Sequence, residues 1–330
     1  MAENRSASTA VATNGGKSAS VGCPLCGDHA ATLLEQLKLA DLDHEYRRQV
    51  GVSVVDEFPA GTQHLELVRC GGCGLEYFNP TVAGSAGFYA RLSQDEHYYS
   101  TTRWEFTETL KRLPADPDLI DVGCGDGFFL RSVPGTRRRG LEFNPEAVRR
   151  ATASGLKVTT QRLEDLPAAS ADFVTLFQVL EHVARPREVL SAAVRVLRPG
   201  GKFFVAVPNN DTWVGEAPPN PLNAPPHHTL RWRAEALRAA AKLSGLELDE
   251  LQAESVAPEH LFPYRRSRWV ARLGVLAGGS VPRYGIGPAA VGVRKVATAL
   301  TTISMRLFPG LGPARPGTGH SLLAIYRKPA

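Results

Sequence analysis

The chain has 330 residues, 43% hydrophobic and 22% charged, which are ordinary values for a soluble globular protein with a large core. No apolar run is long enough to span a bilayer. The net charge of +5 is uneven: nine Arg or Lys and no Asp or Glu lie between Pro263 and Gly317, leaving 29 basic against 33 acidic residues elsewhere. The basic character therefore belongs to one segment and not to the whole surface.

The first twenty residues are rich in Ala, Ser, Thr, Asn and Gly and lack the apolar centre of a signal peptide. They read as a disordered tail (1–20) on a cytoplasmic protein. Two Cys-x-x-Cys-Gly turns follow, Cys23-Pro24-Leu25-Cys26-Gly27 and Cys70-Gly71-Gly72-Cys73-Gly74. In each, two thiols converge on one side of a tight turn. Together, Cys23, Cys26, Cys70 and Cys73 make a closed four-sulfur set suited to zinc. The alternatives are two disulfides or four free thiols, and a cytoplasmic setting disfavours disulfides. Four protein ligands leave no open position, so this metal is structural. Residues 51–55 and 64–68 read as short strands of a module spanning 21–80, small enough to depend on metal for its stability.

Residues 85–113 read as helical and carry aromatic clusters at Phe88-Tyr89, Tyr98-Tyr99 and Trp104-Glu105-Phe106. Tyr77, Tyr98 and Tyr99 are candidates for a substrate wall. Segment 81–115 is a helical cover and linker, ending at Pro114-Ala115-Asp116-Pro117. The domain from 116 to 330 opens with Leu119-Ile120-Asp121-Val122-Gly123-Cys124-Gly125-Asp126-Gly127-Phe128-Phe129-Leu130. This is a buried strand, a glycine loop and a helix start, a pattern that lets an anionic ligand end approach bare backbone. Glu142 ends the next strand, where a carboxylate can accept hydrogen bonds from ribose hydroxyls. Asn144-Pro145 starts a helix that Gly155 ends. Strands at 156–161 and 171–177, a helix from Pro186 to Leu197 and a strand from Lys202 to Val207 follow. A helix from about Arg231 to Leu243 and strands at 246–255 and 321–327 complete the pattern. Such alternation implies a doubly wound parallel sheet with ligands at its carboxyl edge.

The loop Asp121–Gly127 with Glu142 resembles the first motif and ribose acid of class I S-adenosylmethionine-dependent methyltransferases. Leu163-Glu164-Asp165-Leu166-Pro167, Asp172-Phe173-Val174, Leu180-Glu181-His182-Val183 and Arg195–Lys202 resemble that family's later landmarks, in order, over about half the chain. The resemblance implies an α/β fold: a seven-stranded Rossmann-like sheet with an antiparallel last strand, here with an N-terminal zinc-ribbon module and a basic helical insertion at 263–317. It implies S-adenosylmethionine as cofactor, bound by Asp121, Gly123, Gly125, Gly127 and Glu142. Glu164 is then expected near the adenine, and Phe177 and Gln178 near the methionine part.

Zinc knuckles ahead of this core resemble bacterial methyltransferases of sugars, glycans and natural products, which implies transfer to a small-molecule acceptor. The general-base candidates are His182, beside the reactive sulfur by family position, and His227 and His228. The latter pair lies in Pro225–Trp232, behind the proline-rich Ala217–Pro221. Family enzymes use acidic or histidine residues in the corresponding loop. Competing readings are an RNA base methyltransferase and a non-catalytic scaffold. Against nucleic acid, the module has few basic residues beyond Arg47, Arg48 and Arg69, and Pro208-Asn209-Asn210-Asp211 is not a base-methylation motif. Against a scaffold stand the intact Asp121 loop and Glu142. The insertion reads either as a lid over the substrate pocket or as a surface for an anionic partner. That partner would be the diphosphate of a sugar nucleotide, or phospholipid headgroups at the inner membrane face for a lipid-linked acceptor.

Overall fold

The computed structural model describes residues 22–92, 103–216, 220–276, 281, 284, 288–309 and 317–330. The N-terminal tail, Tyr98, Tyr99 and Ala217–Pro219 lie outside the described residues.

Two sheets carry the fold. The smaller is built from β1 (Ala31–Lys38), β2 (His64–Cys70) and β3 (Glu76–Asn79), with α1 (Leu39–Val50) crossing between β1 and β2. Residues 51–55, expected as a strand, are irregular, and α1 is a helix where the expected pattern of short strands has none. Its signal is present: Leu39, Leu42 and Tyr46 recur at helical spacing and are buried, and Gly51 ends the helix in the left-handed conformation. Helices α2 (Ala86–Leu92) and α3 (Trp104–Leu110) lead into the larger sheet.

The larger sheet begins with β4 (Leu119–Val122), α4 (Phe128–Ser132), β5 (Arg138–Leu141), α5 (Pro145–Ala153), β6 (Val158–Thr159), β7 (Ala171–Phe177), α6 (Pro186–Val196) and β8 (Leu197–Pro208). Then come α7 (Trp213–Glu216), β9 (Leu230–Arg231), α8 (Ala234–Leu243), β10 (Glu247–Ala253), α9 (Leu261–Leu276), α10 (Pro288–Leu307) and β11 (Ser321–Arg327). Its strand order is β6-β5-β4-β7-β8-β11-β10, with β11 antiparallel to both neighbours and β4, β5, β6, β7 and β8 parallel. The apolar runs of β4 and of Phe203–Val207 in β8 are buried, as strands covered on both faces must be. The chain reverses direction across the sheet between β4 and β7, which is where α/β sheets hold ligands. The third strand is shorter than expected, only Val158–Thr159. The helix expected from Arg231 begins at Ala234, because Leu230 and Arg231 are spent as β9.

That two-residue strand joins the two halves of the molecule. It pairs antiparallel with β3, Glu76 opposite Arg231 and Tyr77 opposite Leu230, so the cysteine-bearing sheet is completed by a segment from the far side of the chain. Cys23, Leu25, Cys70, Cys73 and Tyr77 share one apolar core with Trp232, Leu237 and the large sheet. The module is therefore not an isolated small core, and Tyr77, 1% exposed, belongs to that core and not to a substrate wall. At the seam, the Glu76 carboxylate meets Arg69 Nη2 at 2.7 Å, Arg233 Nη1 at 3.0 Å and Arg231 Nε at 3.3 Å. Glu76 and Arg231 are each 1% exposed. Arg231 spends its other nitrogens on the Gly215 carbonyl at 2.6 Å and the Tyr284 hydroxyl at 2.7 Å.

Removing one partner of a buried ion pair strands the other charge. Glu76→Ala should therefore destabilise the chain by roughly 3–5 kcal/mol in urea unfolding. A loss below about 1 kcal/mol, the size of an exposed pair, would show that the cluster does not hold the seam.

Candidate active site and cysteine centre

A cavity of about 430 Å³ opens at the carboxyl ends of β4 and β7. One half is lined by the glycine loop. Gly123 and Cys124 donate backbone N–H groups to the Leu141 carbonyl at 2.8 and 3.2 Å, which folds the loop over the end of β5. Gly123 has φ +71°, and a Cβ there would lie 2.5 Å from Val179 Cγ2, so the position admits only glycine. Gly127 is also left-handed, with Leu156 filling the space a side chain would need, but it does not line the cavity. It caps the start of α4.

Glu142 stands at the end of β5. Its carboxylate accepts from Gly125 N and Asn144 N, each at 2.8 Å, which fixes both oxygens at the cavity wall with lone pairs to spare. Phe143, 69% exposed, presents an aromatic face beside it, a lining residue the sequence reading missed although it directly follows Glu142. Asp121, the penultimate residue of β4, is 3% exposed and accepts from Thr175 Oγ1 at 2.7 Å. Burial pushes its carboxyl up to about 7, opposed by the Thr175 bond and reinforced by the nearby Glu142 charge. Phe177 closes a trio with Phe106 and Phe129, ring centres 4.9–5.4 Å apart, that seals the floor. Gln178 follows at φ +56°, rare for a side-chain-bearing residue, and its amide donates to Glu105 Oε1 at 2.9 Å. Glu164 is not brought to the cavity; it is half-exposed and paired with Arg162. The short turn Leu163–Asp165 leaves its side chain facing solvent.

The other half holds His182, His227 and His228, which the structure does bring together. Ring centres are 4.5 Å apart for His182–His227, 4.8 Å for His182–His228 and 4.6 Å for the stacked pair His227–His228. The loop carrying the pair is held by its backbone: Thr229 N donates to Glu181 O at 2.9 Å, Phe78 N to Thr229 O at 3.2 Å and Gly84 N to Pro226 O at 2.9 Å. Tyr46 and Tyr284 donate hydroxyls to the Ala224 and Asn223 carbonyls at 2.9 and 2.6 Å. Burial lowers His227 to about 4 and holds His182 and His228 well below their ordinary value, so all three rings are neutral at pH 7. Beside them Glu181 is 1% exposed and pushed up to about 8 by burial. The sequence reading named Glu181 only as part of a landmark.

The four knuckle cysteines also meet. Sγ atoms are 3.6 Å apart for Cys23–Cys73 and 3.4 Å for Cys26–Cys70, and all four lie within 4.8 Å of one another. These separations exclude disulfides, whose sulfurs sit about 2.05 Å apart. They are close to the edge of a tetrahedron with metal–sulfur bonds of about 2.3 Å. Cys124, the fifth cysteine, has its thiol pushed up by burial and by Asp121 and Glu142, so it is no nucleophile.

Helices α9 and α10 pack on each other, but no described residue of either lines the cavity, which removes the lid reading for them. Nor is the basic character a single solvent face. Arg265 is buried and donates to the Ser304 and Phe308 carbonyls at 2.9 and 2.6 Å, closing the end of α10, and Arg294 is buried as well. No described helix is long and apolar enough to cross a membrane.

Asp121 yields a pH test. A carboxyl raised in the folded state and ordinary in the unfolded state contributes stability below about pH 4 that is lost as pH rises through about 7. Asp121→Asn keeps an acceptor for Thr175 and does not titrate. Ligand-free Asp121→Asn should melt several degrees above the parent at pH 8, the gap shrinking as pH falls toward 4. Equal melting temperatures at pH 8 would contradict it.

Residues 95–251 match a protein family described as a methyltransferase domain. A probable S-adenosylmethionine-dependent methyltransferase of Mycolicibacterium smegmatis is 32% identical over 162 residues, covering 47% of this chain and 62% of that protein. A ubiquinone biosynthesis O-methyltransferase of Xanthomonas oryzae pv. oryzae is 36% identical over 102 residues, 28% of this chain and 43% of the relative. The chain thus spans less than two thirds of the length of either. A solved S-adenosylmethionine-dependent methyltransferase from Archaeoglobus fulgidus aligns over 73% of this chain and all of its own, at 17% identity and a TM-score of 0.47. Residues 95–251 are thus similar to S-adenosylmethionine-dependent methyltransferase domains, a similarity that the sheet order, the glycine loop and Glu142 fit.

Proposed function

We propose that the chain binds S-adenosylmethionine in the Asp121–Glu142 half of the cavity and methylates a small molecule held in the histidine half. The observation that carries this reading is that one cavity joins a ribose-type carboxylate platform to a cluster of neutral imidazoles. When bound, the cofactor supplies an electrophilic methyl group on a sulfonium. Glu142, fixed by two backbone donors, would hold the ribose hydroxyls, and Phe143 would stack on the adenine. Gly123 and Gly125 leave room for the methionine end, and the Phe106–Phe129–Phe177 trio keeps water from that floor. On the acceptor side, His182, His227 and His228 orient a polar group, and with no ion bound an Nε2 lone pair can take its proton.

The cavity volume lies within the range of small-molecule sites, in keeping with a sugar, a glycan unit or a natural-product intermediate as acceptor. The hairpin of α9 and α10 exposes Val275, Leu276, Ile303, Leu307 and Phe308 together with Arg268, Arg272, Lys295 and Arg306. Apolar and basic side chains exposed together favour an acceptor presented at an anionic lipid surface. Vesicles of phosphatidylglycerol should retain the protein at low salt and release it at high salt. Leu307→Asp with Phe308→Asp should abolish retention, whereas unchanged retention would leave the hairpin without a lipid role.

We further propose zinc in the four-cysteine centre, on the strength of its sulfur separations. Because the module shares the main core, Cys70→Ser should lower the melting temperature without unfolding the chain.

The central test is calorimetry with S-adenosylmethionine followed by mass spectrometry of a metabolite extract. Binding should be abolished by Gly125→Arg and weakened about tenfold or more by Glu142→Ala, the scale of a lost hydrogen-bonded carboxylate. The extract should gain a species heavier by one methyl group. Parent protein that binds no S-adenosylmethionine would overturn the reading.

A further inference from the structure

The histidine half of the cavity has more order than an acceptor pocket needs. We propose that Glu181, His182, His227 and His228 form a second metal site, for a divalent first-row transition ion, open on the cavity side to an oxygen donor of the acceptor. The ion's place rests on the residues alone; only the acceptor as its outer ligand rests on the function proposed above.

The first argument is convergence. One ligand atom from each histidine lies within 4.8 Å of those of the other two. His182 Nε2 and His228 Nε2 lie 3.9 and 4.0 Å from Glu181 Oε1. Donors on a tetrahedral ion with bonds of about 2.1 Å sit about 3.4 Å apart, so closure asks the widest pair to approach by up to about 1.4 Å and the Glu181 pairs by about half an ångström, within reach of side-chain rotation.

The second argument is the position of the ring protons. His182 Nδ1 bonds the His227 carbonyl at 2.7 Å and His227 Nδ1 the Leu222 carbonyl at 2.8 Å. A carbonyl only accepts, so both nitrogens carry the proton. His228 Nδ1 meets Asn223 Oδ1 at 3.2 Å, and that amide is oriented by Asn223 Nδ2 donating to the Val214 carbonyl at 3.1 Å. Each ring therefore keeps its lone pair on Nε2. Metal-ligating histidines are held this way, with the far N–H given to a carbonyl or carboxylate that fixes tautomer and orientation.

The third argument is Glu181. It is 1% exposed, and neither carboxylate oxygen has a hydrogen-bond partner on another residue. Buried carboxylates are paired, hydrogen-bonded or metal-bound. The side-chain atoms within 4.0 Å of it are imidazole nitrogens that carry lone pairs, and Arg103 acts on it as a nearby positive charge. A cation between them would satisfy both sets at once. The Thr229–Glu181 backbone bond already ties the two ligand-bearing loops together.

Three imidazoles and one carboxylate suit zinc, iron, cobalt, nickel or manganese and disfavour magnesium or calcium. The four-cysteine centre is closed by contrast and does not line the cavity.

The test uses the full chain stripped of metal and titrated with Co²⁺. Two equivalents should bind. One should show the strong thiolate-to-cobalt charge-transfer absorption, and the other only weak ligand-field bands. Cys70→Ser should remove the former. Glu181→Gln and His228→Ala, on separate loops and checked for folding by circular dichroism, should each weaken the latter by about ten- to a hundredfold. Total first-row transition metal by elemental analysis should match, at two ions per chain in the parent. A single equivalent in the parent, or a second with unchanged affinity in both variants, overturns the proposal. S-adenosylmethionine calorimetry on the same preparations keeps the two readings apart. Cofactor binding without a second ion removes this inference and leaves the methyltransferase reading, while a second ion without cofactor binding does the reverse.

Discussion

A single buried carboxylate, Glu76, holds this molecule's two sheets in one frame. Three arginines surround it, and the one that shares its burial, Arg231, ends the loop that delivers His227 and His228. An unpaired guanidinium at 1% exposure would be prohibitive, so the position of Arg231 is dictated by Glu76 and by the Gly215 and Tyr284 oxygens. The β3–β9 pairing extends that constraint to the backbone. The histidine loop is thus suspended between two anchors and not left as a free surface loop. Its geometry is a property of the whole fold, and the cysteine sheet acts on the cavity through it.

The cavity then divides by electrostatic character. On the glycine-loop side, buried or half-buried carboxylates, Asp121 and Glu142, meet backbone N–H groups at the end of parallel strands. On the histidine side, burial keeps imidazoles neutral and a carboxyl unsatisfied. Ground-state order on both sides, set by backbone bonds to side chains, is what positional catalysis requires.

The large sheet was legible because parallel strands buried on both faces read as apolar runs, and Asp121–Gly127 with Glu142 punctuates the first of them. Asn144 and Pro145 announced α5 by their capping chemistry, and β7 and β11 kept their expected ends. The misses have physical causes. Helix α1 has a narrow apolar stripe within a charged segment, so strand-like flanks outweighed it. The strand β9 is two residues long and exists only through its partner β3, which no local pattern reveals. Gly127 and Glu164 fit motif positions, yet one serves loop conformation and the other faces solvent. His182 and the His227–His228 pair were read separately, each from its place along the chain. Their mutual approach, and the role of Glu181 between them, depends on a contact between loops 45 residues apart.

The β3–β9 pairing also bears on how the chain is made. As the polypeptide emerges from the ribosome, the cysteine sheet must wait for residues 230 and 231 before its last edge is covered. Until then Glu76 has Arg69 alone, and the apolar side of Tyr77 and Leu75 faces water. Closure over so long a sequence separation is slow relative to local helix formation. The nascent N-terminal segment accordingly carries an uncovered strand edge during synthesis, and a fragment ending near residue 80 would keep that edge permanently.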